Sequence, residues 1–100
     1  MSHVTDIILI TAIDDAVDNI FSVDALNEYL SKKYGGKLNK VSQYSGGNKS
    51  FQADVFMAAV NYLDIKGFIN GYQNNHWELQ SSAQLLIKDE QDDNFRIISS

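Results

Sequence analysis

The residues best able to do chemistry fall in two loops. One is "SGGNKS", Ser45 to Ser50, where adjacent glycines free the backbone and Lys49 and Ser50 offer a cation and a hydroxyl ahead of an apolar run. At a helix N-terminus such a loop could present backbone N–H groups to an anion. The other is "AIDDAVDN", in which Asp14, Asp15 and Asp18 could supply oxygen ligands to a hard cation such as magnesium. Together, Asp14, Asp15, Asp18, Gly46, Gly47, Asn48, Lys49 and Ser50 would make a ligand- or partner-binding edge. A phosphorylated small molecule is the ligand chemistry that suits it.

Neither loop completes a known motif. A Walker-type phosphate loop needs G-x-x-x-x-G-K-[ST], whereas here the glycines are adjacent and Asn48 separates them from the lysine. A plainer reading makes Gly46 and Gly47 a turn, Asn48 or Ser50 a helix cap, and Lys49 a solvent-facing cation or the partner of an aspartate in the other loop. The Asp14-Asp15 pair after an apolar strand is superficially similar to the receiver domain of response regulators. A receiver also needs a phosphorylatable aspartate after a third parallel strand and a later lysine, and neither is recognisable, so a solvated acidic loop is expected.

"DEQDDN", Asp89 to Asn94, has acids at calcium-like spacing without the central glycine or bidentate glutamate of an EF-hand. It reads as a charged hairpin tip. His76 lacks a serine, cysteine or carboxylate pattern around it, and His3 lies close to the N-terminus. No catalytic residue, no metal ligand and no cofactor is therefore expected, and the reading leans away from an enzyme.

The elements that must position these loops follow from apolar patterning. "DIILITAI", Asp6 to Ile13, is β-branched and apolar at nearly every position rather than alternating, the pattern of a central strand covered on both faces. "FSVDALNEYLSKKYGG" reads as a helix capped by Ser22, stapled by Phe21 and Leu26, and ended by Gly35 or Gly36. Its apolar stripe is Val23, Leu26, Tyr29 and Leu30, and Glu28 and Lys32 form an i, i+4 pair. "KLNKVSQYS" reads as a short strand near an edge, parallel to the first because a helix joins them.

The run from Phe51 to Leu63 presents an apolar surface so wide that we expect a largely buried helix. Asp64 can start a further short helix with Ile65, Phe68, Ile69 and Tyr72 at helical spacing. "AQLLIKD" and "NFRIIS" read as a C-terminal β-hairpin with an acidic loop. The expected fold is α/β, bordering on α+β: one domain over residues 1–100 with a mixed β-sheet in the order β-α-β-α-α-β-β. The order has some topological similarity to a thioredoxin-like core. With no proline and no cysteine that similarity implies no redox activity.

Composition narrows the function classes. One hundred residues with 44% hydrophobic content suit one core. No apolar run is long enough to span a bilayer and no leader pattern starts the chain, so a cytoplasmic protein without a membrane partner is expected. The net charge of −5 argues against nucleic acid, whose binding needs clustered lysine and arginine. The leading expectation is a small acidic protein-interaction module of the inhibitor, immunity or adaptor type, docking on the basic surface of another protein. The alternative is a binding domain or enzyme for a phosphorylated small molecule, using the two loops above. A homodimer through a sheet edge stays open, because small open sheets leave strand edges unpaired.

Overall fold

The computed structural model describes residues 3–12, 20–49, 52–74 and 83–98. At its centre runs β1 (Val4–Ala12), hydrogen-bonded on one side to β3 (Ala53–Asn61) and on the other to β4 (Gln84–Asp89). β2 (Asn39–Lys40) and β5 (Arg96–Ile98) complete a five-stranded sheet in the order β2-β3-β1-β4-β5. Two helices, α1 (Ile20–Tyr34) and α2 (Ile65–Asn74), join the strands. The expected class therefore holds: sheet and helices share one core, the N-terminal strand is central, and the C-terminal segment is a hairpin.

Four details differ from the sequence reading. The segment expected as a helix from Phe51 contains β3, whose nine residues all pair with β1, from Ala53 opposite Ala12 to Asn61 opposite Val4. Its wide apolar surface arises because alternate residues of a strand point to opposite faces and here both faces are apolar. Val55, Met57 and Ala59 go one way, and Phe56, Ala58 and Val60 the other. Helix propensity in its alanines and methionine yields to the pairing demand of β1, which needs a ladder on each side.

The sheet is also antiparallel at every hydrogen-bonded pair rather than mixed. β1 and β2 do run in the same direction, as the helix between them requires, but β3 lies between them and pairs antiparallel to both. β2 itself is short: after Lys40 the chain enters a 3₁₀ turn, Ser42–Tyr44, which leaves Tyr44 78% exposed while Leu38 stays buried.

Both helices pack on one face of the sheet. Val23, Leu26 and Leu30 of α1 and Phe68 and Tyr72 of α2 meet Ile7 and Leu9 of β1, Val60 of β3, and Leu85 and Ile87 of β4. Each fully buried aliphatic or aromatic side chain adds roughly 1.5–3 kcal/mol of transfer free energy. α1 begins at Ile20, so Ser22 falls inside its first turn rather than at its cap. It ends where Gly35 takes φ of 70° and donates its N–H to the Ser31 carbonyl, a left-handed stop that glycine makes without strain. Lys32 reaches Glu28 at 2.7 Å, the expected surface pair.

Side chains then tie the layers together. Asn27 of α1 accepts the Leu38 N–H at 2.7 Å and fixes the entry to β2, while the Tyr34 hydroxyl accepts the Asp64 N–H at 2.9 Å. Asp64 caps α2 by accepting the Gly67 N–H, in keeping with its place ahead of the helical spacing. The Tyr72 hydroxyl donates to the buried Ala83 carbonyl at the start of β4.

Candidate functional site

The residues singled out by sequence divide three ways. Asp14, Asp15, Asp18 and Ser50 lie outside the described residues, as does His76. Gly46, Gly47, Asn48 and Lys49 are all exposed, in a turn where Gly47 takes φ of 102°. The turn reading of the glycines fits this backbone. The next element along the chain is β3 rather than a helix, so Asn48 caps no helix and the loop has no helix N-terminus behind it to favour an anion. The two loops nevertheless leave from one end of the sheet, since β1 ends and β3 begins at the paired residues Ala12 and Ala53.

The hairpin acids are largely engaged within the fold. Asp89 sits opposite Thr5 in the ladder, accepts its hydroxyl at 3.0 Å and lies 2.8 Å from His3 Nε2. Asp92 accepts the Asp89 N–H at 3.0 Å and lies 3.6 Å from Arg96 Nε. Glu90 stands 3.8 Å from His3 Nδ1. Partial burial works against the Asp89 charge, but hydrogen bonds from His3, the Glu90 N–H and Thr5 outweigh it and hold this carboxyl below the usual aspartate value. His3 thus latches the start of β1 to the end of β4. Sequence reasoning passed over it because the partners are far apart in the chain and only the β1–β4 register brings them together.

A second cluster lies between α1 and α2. Burial, then the neighbouring Tyr34 hydroxyl and the Asp64 charge, push the Tyr29 hydroxyl up to about 12. It is buried and has no hydrogen-bond partner among the described residues. Its ring stacks edge-on against Tyr34, lies tilted against Phe68, and carries the Lys33 ammonium 5.1 Å from its centroid. This cluster packs α1 against α2. A Cβ at Gly67 would come within 3.0 Å of the Tyr29 hydroxyl, so the space is already filled.

The face of the sheet turned away from the helices is different in kind. Along β1 the even-numbered residues point there, and the cross-strand register continues them into rows. One row reads Met57, Ile8, Leu86, Ile97 across β3, β1, β4 and β5. Met57 is 46% and Ile97 72% exposed, with Ile8 and Leu86 partly exposed between them. Val55 and Ile10 extend the apolar area on one side. On the other, Asp6 and Lys88 oppose each other across the β1–β4 ladder, and the 38% exposed Phe95 borders them. A groove of about 870 Å³ lies over β1 and β3, lined by Asp6, Ile8, Met57, Ala59 and Phe95 and also by Ser31 of α1, by Gly35, Gly36 and Lys37 after it, and by Asn39 and Val41.

No group of side chains suited to holding a metal ion occurs among the described residues, and no described helix is long and apolar enough to cross a membrane. Comparison with protein-family models, curated proteins and solved structures gives no match. The functional reading therefore rests on the geometry of this chain.

Proposed function

We propose that the chain is a small protein-interaction module that docks through the open face of its sheet. The observation that carries this reading is the row Met57, Ile8, Leu86 and Ile97, apolar across four strands and without a described helix over it. Contiguous apolar surface of this kind marks a contact site, because water against it is unfavourable and a partner removes it. Polar side chains border the row, with Asn39 at the β2 end and Asp6 and Lys88 beside it, as a polar rim borders the apolar core of an interface.

The net charge of −5 adds long-range attraction toward partners with basic surfaces. That acidity lies mostly outside the face, so it steers approach while the apolar row supplies the contact. A photo-crosslinking amino acid at position 57, compared with the same probe at the exposed Lys66 on α2, tests the reading in cells. Protein adducts formed from position 57 and not from position 66 are expected. Equal yields from both positions would overturn it.

A further inference from the structure

We propose that the occupant of the open face is a second copy of this chain, in an isologous face-to-face pair whose two-fold axis lies along the gap between β1 and β4. This rests on the docking reading above and names its partner. Four strands, β3-β1-β4-β5, form the substantial part of the face, and the β1–β4 gap is their midline. Rotation about that midline lays β1 of one copy over β4 of the other, and β3 over β5.

The apolar row then falls on its own reverse. Ile8 meets Leu86 of the second copy and Met57 meets Ile97, each contact made twice, as an isologous interface requires. Sheet twist turns the two copies by about 30° and leaves an apolar layer about 10 Å thick between them.

Local charge suits the same occupant. In a chain of net charge −5, the described strand residues of this face carry one acid and one base, Asp6 and Lys88. The rotation puts Asp6 of each copy over Lys88 of the other. A second copy thus offers a base to each acid and an acid to each base, against the long-range repulsion of two chains of net charge −5. Overlap runs over six residues where β1 lies on β4 and three where β3 lies on β5, roughly 300 Å² of sheet per copy and roughly 600 Å² for the pair, the size of a weak association that forms at high concentration. The strand edges offer less, since β2 has two residues and β5 three.

The test is sedimentation of the purified full chain over a concentration series from micromolar to millimolar, with crosslinking from position 57 in the same samples. The expected result is a two-chain species that replaces the single chain as concentration rises, with self-adducts from position 57. Met57→Lys with Ile97→Lys should abolish the two-chain species. Lys88→Asp should weaken it, and adding Asp6→Lys should restore it, since the swap re-forms the pairs between copies. A thermal melt at micromolar concentration checks that each variant is folded.

A chain that stays single at all concentrations, or a charge swap that fails to restore pairing in a folded variant, would overturn the proposal. If the purified chain stays single while position 57 crosslinks a different protein in cells, the second copy is excluded and docking at this face survives. If position 57 gives no adduct in either setting, both fall.

Discussion

The two faces of this sheet are built from nearly the same side chains and stand in opposite surroundings. Ile7, Leu9, Leu85 and Ile87 are at most 1% exposed beneath the helices, whereas Met57 and Ile97 lie 46% and 72% exposed on the other side, with Ile8 and Leu86 between them. A strand apolar at nearly every position normally belongs to a sheet covered twice. Here α1 and α2 cover one side, so the composition of β1 asks for a second cover that the described residues do not provide. The sequence of β1 thus suits a sheet covered on both faces, as the proposed docking would provide.

Core truncation on the covered face should have the greatest cost. Leu9→Ala should cost about 2–5 kcal/mol in urea unfolding, because it removes a side chain that is 0% exposed and leaves a cavity. A cost under about 1 kcal/mol, the range of mild surface changes, would mean that the helix layer is loosely packed.

Next comes the helix that closes this face. A Cβ at Gly67 would stand 2.6 Å from Asp64 Oδ2 and 3.0 Å from the Tyr29 hydroxyl, disturbing the α2 cap, whereas at Gly71 the nearest atom is Leu26 Cδ2 at 3.8 Å. Gly67→Ala should therefore lower stability by about 1–3 kcal/mol. Gly71→Ala should raise it by about 0.5–1 kcal/mol, since alanine favours helix and the space is there. Thermal or urea unfolding that ranks these two variants in the opposite order would contradict the packing described.

On the open face the same kind of truncation should cost little in a single chain. Leu86→Ala measured at micromolar concentration should fall below the Leu9→Ala loss by at least about 1 kcal/mol, since a partly exposed side chain gives up less burial. The gap should narrow at high protein concentration if the face is covered there, because association adds its free energy to unfolding.

The smallest of these effects is electrostatic and sits at the sheet's end. The Asp89 carboxyl is held below its ordinary value of 3.8 in the folded chain, so the folded state binds fewer protons than the unfolded one in that range. Its contribution is present above the unfolded value and is lost as pH falls through the depressed folded value. Asp89→Asn should lower stability at neutral pH and flatten the decline of stability below pH about 4, read from denaturation midpoints in acid.

Much of this was legible in the residues. α1 could be placed from its apolar stripe and its basic, glycine-terminated end; α2 from Asp64 and the spacing of Phe68 and Tyr72; the hairpin from two β-branched runs around an acidic loop. β3 was not, because Val55, Met57 and Ala59 make its second face apolar, and a strand apolar on both sides lacks the period of two that would reveal it. The place of β3 between β1 and β2 depends on register, which no local pattern carries. The same holds for the His3 latch, whose partner Asp89 comes from the far end of the chain.

Among the site residues, the glycines at 46 and 47 were readable as a turn. The open face was not readable at all, since it becomes a feature only once both helices are seen on one side.

Side-chain carbene footprinting of the full chain across a concentration series tests the open-face account most directly. The account predicts that labelling of Met57, Leu86 and Ile97 falls as concentration rises, while Tyr44, at 78% exposure in the 3₁₀ turn, labels equally throughout. Labelling of Met57 and Ile97 that stays as constant as that of Tyr44 would contradict it.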